Sequence, residues 1–150
     1  MPAPGDQFPQ FSLPDQNGAT KQNKDFEGKP YVVYFYPKDD TSGCTTEACE
    51  FTAAIPDFGD VPVVGVSPDS VVSHQKFAKK HGLAVTLLAD EERVLIEACG
   101  LWVEKSMYGK KYMGVERTTF LVGADGRILE VWNKVKPAGH AAEVLAALNR

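Results

Sequence analysis

Tyr31-Val-Val-Tyr-Phe-Tyr36 runs directly into Pro37-Lys-Asp-Asp-Thr41-Ser-Gly-Cys44-Thr-Thr-Glu47-Ala-Cys49. The first six residues are β-branched or aromatic without interruption, the pattern of a central strand buried on both faces. Pro37 ends it. Over residues 45–55 the period becomes helical, with Ala48, Phe51, Thr52 and Ile55 on one face.

The same alternation continues outward from this stretch. Residues 61–67 (VPVVGVS) read as a second buried strand, and residues 70–81 as a helix closed by Gly82. Residues 85–89 are a third strand, and residues 91–99 a helix stopped by Gly100. Two strands, 117–122 and 128–132, are joined by a hairpin loop at 124–127, and residues 140–148 form a closing helix. Near the start, residues 8–13 are extended and Asn17-Gly18 is a hairpin-type turn. Strands alternating with helices, then a terminal hairpin, predict an α/β fold with a mixed central β-sheet flanked by helices. In such sheets the chemistry lies beyond the carboxyl ends of the strands. The segment after Tyr36 occupies that place.

The chain of 150 residues has the size of one domain, 1–150, and its 43% apolar content suffices for a packed core. A net charge of −4 with no basic run argues against nucleic acid as a partner. No apolar stretch approaches the roughly 20 residues of a membrane span. Residues 1–10 lack a basic-then-apolar signal pattern, so a cytoplasmic location is expected. Three cysteines are an odd number, and a core of this size needs no disulfide staples. They are reactive thiols, ligands or buried fillers.

Cys44 is predicted at or just before the first turn of a helix. Unpaired N–H groups and the helix dipole favour an anion there, hence the thiolate. Gly43 leaves room for a small substrate to approach the backbone, and the Thr41 hydroxyl can both donate and accept. The competing reading of Cys44 is a small buried hydrophobe.

Pro37, Thr41 and Cys44 match the peroxiredoxin signature of Pro, three residues, Thr, two residues, Cys. The run FYPKDDTSGCTTEAC most resembles the PrxQ branch, also called bacterioferritin comigratory protein, whose members commonly carry a second cysteine five residues on, as Cys49 is here. Phe8-Pro9-Gln10-Phe11, Tyr108-Gly109 and Glu116-Arg117-Thr118-Thr119-Phe120-Leu121 resemble further family landmarks, so the likeness spans the chain.

This resemblance implies a thioredoxin-like fold and a thiol-dependent peroxidase acting on hydrogen peroxide and organic hydroperoxides. Cys44 matches the peroxidatic cysteine, oxidised to a sulfenic acid, and Cys49 the resolving cysteine that condenses with it to an intramolecular disulfide. Thioredoxin or a similar dithiol is the implied reductant. Arg117 matches the arginine that meets thiolate and peroxide, Thr41 the hydroxyl that orients the peroxide, and Pro37 the residue that shields the pocket. Glu47 matches a carboxylate that orients an arginine. Neither a cofactor nor a metal is implied. An intramolecular pair needs no partner chain, so a monomer is expected. Ser42 stands where relatives often have Pro or Val; its hydroxyl is expected to cap the helix, at the expense of a dry wall.

The thiolate alone does not supply the rate. A free thiol is about 3% ionised at neutral pH, so full ionisation gains only about thirtyfold. The remainder must come from donors aimed at the departing oxygen, for which Arg117, Thr41 and the amides near Gly43 and Cys44 are placed.

Cys99 reads as a helix-end core residue, with a spare resolving cysteine as the sharper alternative. His74, His81 and His140 show no ligand spacing and read as surface residues. Trp102, Tyr108 and Tyr112 read as core or pocket-wall aromatics. Three competing functions share this scaffold. A disulfide oxidoreductase usually needs Cys-x-x-Cys, which is absent. A metal module built on Cys44, Cys49 and a histidine lacks a second ligand pair. A redox sensor or holdase fits as a second activity.

Overall fold

The apolar run of residues 31–36 is buried on both sides because it lies at the centre of a five-stranded sheet. The computed structural model describes residues 1–149. Along the chain come β1 (Ser12–Pro14), β2 (Thr20–Gln22), a 3-10 turn (Asn23–Phe26), β3 (Tyr31–Phe35), α1 (Ser42–Phe58), β4 (Val63–Ser67) and α2 (Val71–His81). There follow β5 (Thr86–Ala89), α3 (Val94–Ala98), β6 (Trp102–Met107), β7 (Lys110–Val115), β8 (Thr118–Val122), β9 (Ile128–Trp132) and α4 (His140–Leu148). The sheet order is β5-β4-β3-β8-β9. β3, β4 and β5 run parallel; β8 and β9 are antiparallel to their neighbours, so the sheet is mixed, as predicted.

Alternation along β3 divides its side chains between two cores. Tyr31, Val33 and Phe35 join Phe8, Leu95, Phe120 and Ile128 on one face. Val32, Tyr34 and Tyr36 join Cys44 and Phe51 of α1, Phe77 of α2 and Val144 of α4 on the other. The helical layer carrying Cys44 is thus seated on the aromatic face of the central strand, where Tyr34 stacks on Phe51 at 4.8 Å between centroids. The carboxyl ends of the three parallel strands lie together, and the loop after β3 starts from that edge.

Several boundaries differ from expectation for identifiable reasons. α1 begins at Ser42, three residues early, which places Cys44 inside its first turn. It also continues past Pro56 to Phe58, whose buried ring lies 6.2 Å from Phe51 and anchors the last turn. The third helix shrinks to Val94–Ala98 because Arg93 is left-handed (φ 60). No element was predicted between residues 100 and 117. There β6 and β7 form a separate two-stranded ribbon, turned by Tyr108 and Gly109, both at positive φ. A ribbon with no apolar face to bury shows no clear alternation. Tyr108 is 97% exposed and Tyr112 is exposed, so neither is a core or pocket aromatic; Trp102 is half-buried under the Arg93 guanidinium. No helix among the described residues is long and apolar enough to cross a membrane.

Gly65 faces Tyr34 across the β3–β4 register. A Cβ there would lie 2.7 Å from Tyr34 Cζ and 3.1 Å from Leu87 Cδ2, and Tyr34 is held between Tyr36 and Phe51. Gly65→Ala should therefore cost about 1–3 kcal/mol of stability in urea denaturation, the usual penalty for overpacking. Tyr34→Phe should be neutral or stabilising, because the buried Tyr34 hydroxyl has no hydrogen-bond partner among the described residues.

Candidate active site

Thr41 is extended (φ −94, ψ 158) and forms the N-cap of α1; its carbonyl accepts from the Thr45 amide at 2.8 Å. The amides of Ser42, Gly43 and Cys44 have no acceptor within the helix. No side chain caps this end, contrary to the expectation for Ser42. The Thr41 hydroxyl donates to the Lys38 carbonyl at 2.9 Å, so its oxygen keeps only its acceptor capacity. Cys44 is buried at the base of this turn, on the aromatic face of the sheet.

Arg117 stands just before β8, the antiparallel neighbour of β3, and reaches across to α1. Its Nη2 donates to Cys44 Sγ at 3.2 Å and its Nη1 to Glu47 Oε1 at 2.7 Å. The Glu47 side chain is fully buried, and its Oε2 has no partner among the described residues. Burial pushes the Glu47 carboxyl up to about 7, with the Arg117 charge pulling the other way. For Arg117, burial acts to lower the pKa, but the charges and hydrogen bonds of Cys44 and Glu47 outweigh it and raise the value. The guanidinium is a fixed cation, and two buried acceptors, the sulfur and the carboxylate, share its one positive charge. A proton on Glu47 leaves that charge to the sulfur.

Gly43 is needed for space. A Cβ on it would meet Pro137 Cγ at 3.2 Å and Arg117 Nη2 at 3.3 Å. Pro137, from the loop between β9 and α4, is a wall of the site that sequence reasoning missed. That loop is tied in place by the Val135 amide on the Arg117 carbonyl (2.9 Å) and the Gly139 amide on Glu50 Oε1 (3.0 Å). Pro37 is half-buried at the end of β3.

The root of the loop is clamped by groups that sequence reading placed elsewhere. His74 is fully buried, not a surface residue: its Nε2 faces the Leu88 carbonyl at 2.9 Å and its Nδ1 faces Asp39 Oδ2 at 2.7 Å. Both ring nitrogens thus face oxygen atoms within hydrogen-bond distance. The Tyr36 hydroxyl (2.6 Å) and Ser73 hydroxyl (2.8 Å) also donate to Asp39, and the Asp39 amide donates to Asp69 (2.8 Å). Asp39, Asp69 and His74 form the one carboxylate–histidine group among the described residues close enough to share an ion, but each already serves hydrogen bonds within the clamp. Asp40, left-handed at φ 57, pairs with Lys80 (2.7 Å) and His81 (2.8 Å) of α2. His140 is also buried, between Phe51 and Trp132, with Nε2 2.7 Å from Thr119 Oγ1. Buried histidines with partners carry no sequence signal, because the partners come from distant strands.

All three cysteines are free. Cys49 is half-buried on α1, past Glu47. Cys99 lies in the opposite core, where burial, helped by the Asp90 charge, pushes its thiol up to about 12. It is not brought near Cys44. A cleft of 880 Å³, lined by Phe11, Leu13, Asp90 and Val94 among others, contains none of the predicted site residues.

Residues 4–131 match the AhpC/TSA family. The chain is 47% identical to the peroxiredoxin Bcp of Bacillus subtilis over 146 residues, covering 96% of this chain and 93% of that one. Among solved structures it resembles a cysteine-to-serine mutant of PrxQ from Xylella fastidiosa, with TM-score 0.94 and 39% identity over 99% of this chain and 96% of that one. It is equally similar in extent to the bacterioferritin comigratory protein of Xanthomonas campestris, in a structure described as giving insight into alkyl peroxide reduction; there the TM-score is 0.89 and the identity 42%, over 99% and 96% of the two chains.

The raised Glu47 value makes a stability prediction. An ordinary glutamate titrates near 4.5, and this one near 7 when folded. The native state holds the proton more tightly, so the contribution is complete below about 4.5 and is lost as pH rises through about 7. Urea unfolding from about pH 5 to 8 should show wild-type stability falling relative to Glu47→Gln by ~3 kcal/mol. A gap that does not change with pH would mean that Glu47 is ionised throughout.

Proposed function

The chain belongs to the AhpC/TSA family, in its peroxiredoxin branch of the Bcp/PrxQ kind, and from that premise we propose that it reduces hydrogen peroxide and organic hydroperoxides through Cys44. The observation that carries the reading is the Arg117 guanidinium forked between the Cys44 sulfur and Glu47 at the open end of α1. The thiolate attacks the terminal peroxide oxygen, the O–O bond breaks, and the sulfur becomes a sulfenic acid. The departing oxygen takes up a proton and leaves as an alcohol, or as water from hydrogen peroxide. Its negative charge develops beside Arg117 and the free amides of the first helical turn, donors already in place before reaction. With its hydrogen committed to Lys38, Thr41 accepts the O–H of the peroxide and so orients it. Pro37 and Pro137 keep the sulfur dry.

Cys49 then attacks the sulfenic sulfur, forming the disulfide and releasing water, and a dithiol of the thioredoxin type reduces the product by exchange. Both sulfurs belong to one chain, so a monomer suffices. Three free cysteines suit the reducing cytoplasm.

Resolution requires motion. Cys44 and Cys49 both lie on α1. Five residues along a regular helix place their Cα atoms about 8.7 Å apart. A disulfide needs roughly 4.4–6.8 Å. The first turns must therefore unwind, which breaks the Arg117–Glu47 pair. Thr45 and Thr46 ease this, being β-branched. The enzyme alternates between a folded form for peroxide attack and a locally unfolded form for resolution.

Cys44→Ser should abolish turnover with every peroxide in a coupled thioredoxin assay; substantial residual activity would remove Cys44 from the central role. Cys49→Ser should keep one rapid oxidation and lose recycling through the intramolecular disulfide. Normal cycling would mean resolution elsewhere.

Hydrogen exchange over residues 43–52 should be markedly faster in the disulfide form than in the reduced form. Equal protection in both, with the Cys44–Cys49 bond established by mass, would refute unwinding.

A further inference from the structure

The β6–β7 ribbon brings to the segment that carries Arg117 a cation that none of the sequence motifs contains. Lys105 lies in β6, opposite Tyr112 of β7, and is half-buried while its neighbours Glu104 and Ser106 are exposed. Its stem lies over Gly114, where an added Cβ would come within 3.3 Å of Lys105 Cδ. Its ammonium donates to the carbonyl of Val115, a buried residue two positions before Arg117. Between them, the Glu116 amide is fixed on the Leu101 carbonyl at 2.8 Å. A long, free side chain in an exposed ribbon ordinarily turns its charge toward water. This one turns inward and docks on the peptide that delivers Arg117.

The placement sets like charges together. Burial first, then Arg117, lowers the Lys105 pKa, while Glu116 and Cys44 act to raise it. Next to Arg117 alone, a second cation is unfavourable. Next to Arg117 and an ionised sulfur, one of the two positive charges is compensated. The titratable groups that act on the sulfur or on Lys105 are then Arg117, Glu116, Glu47, which holds its proton into the neutral range, and the Tyr34 phenol, which burial keeps neutral.

We propose that Lys105 is a positioning residue of the Cys44 site: its charge favours the thiolate together with Arg117, and its bond to the Val115 carbonyl fixes the segment that carries Arg117. The inference rests on Cys44 being the reactive thiol, and it deepens that reading without depending on which peroxide is consumed.

The test reads the thiolate itself. Site-resolved alkylation of Cys44 by iodoacetamide, followed by mass across pH, is compared in the wild type, Lys105→Gln, Lys105→Met and Lys105→Arg. Both neutral variants should shift the reactivity profile to higher pH and slow alkylation near neutrality about fivefold, the factor a partly screened charge is typically worth. Lys105→Met keeps the apolar stem against Gly114, so one folded neutral variant is enough. Lys105→Arg should restore most of the wild-type profile. In stopped-flow oxidation by hydrogen peroxide the neutral variants should be slowed at least as much. An unchanged profile in a folded neutral variant would overturn the proposal. So would an arginine variant as impaired as the neutral ones, since that would make the lysine a packing element. Failure of the peroxidase reading is distinguishable, because it would appear as a wild type whose Cys44 alkylates normally but consumes no peroxide.

Discussion

One guanidinium shared between a buried sulfur and a buried carboxylate sets the terms for the rest of this site. The Arg117 fork is planar and rigid, so both acceptors must be held in its plane. Glu47 is three residues after Cys44 on α1, which puts the two on one face of the helix, pointing at the same partner. Arg117 comes from the strand register that pairs β8 with β3. Gly43 must lack a side chain because the guanidinium and Pro137 occupy the space. Burying this group is costly unless every charge has a counterpart, and the Glu47 carboxyl answers that constraint by holding its proton into the neutral range.

Stability is distributed unevenly around the sulfur. The root of the loop, through Asp39 and Asp40, is bound to α2 by Ser73, His74, Lys80 and His81, to the β4–α2 loop by Asp69 and to the end of β3 by Tyr36. The helix beyond Thr41 has no side-chain cap and starts with weak helix formers. One side of Cys44 is therefore fixed and the other is suited to opening. The left-handed Asp40 marks the boundary, its strained φ held by Lys80 and His81.

Cys44 and Cys99 show how far environment decides thiol chemistry. Both are buried, at 1% and 0% exposure, so burial alone does not distinguish them. Cys44 lies at a helix N-terminus under a guanidinium. Cys99 faces apolar side chains and the Asp90 charge, which hold it in the thiol form.

The sequence alone determined the layered α/β architecture and pointed to the stretch after Tyr36 as the candidate site. Local periodicity is a direct record of burial: six unbroken apolar residues from Tyr31 to Tyr36 can only satisfy a strand covered on both faces. The spacing of Pro37, Thr41, Cys44 and Cys49 lies within one short segment and was equally legible. Only the tertiary structure decided which distant groups meet there. Pro137, Lys105 and His74 reach the loop or the site from other elements, and the exposed ribbon of Tyr108 and Tyr112 has no buried face to leave a pattern. The physical reason is the range of the interactions. Backbone propensity and amphipathic period act over a few neighbours, whereas a hydrogen bond or ion pair between Arg117 and Cys44 spans 73 positions and exists only after the sheet has closed.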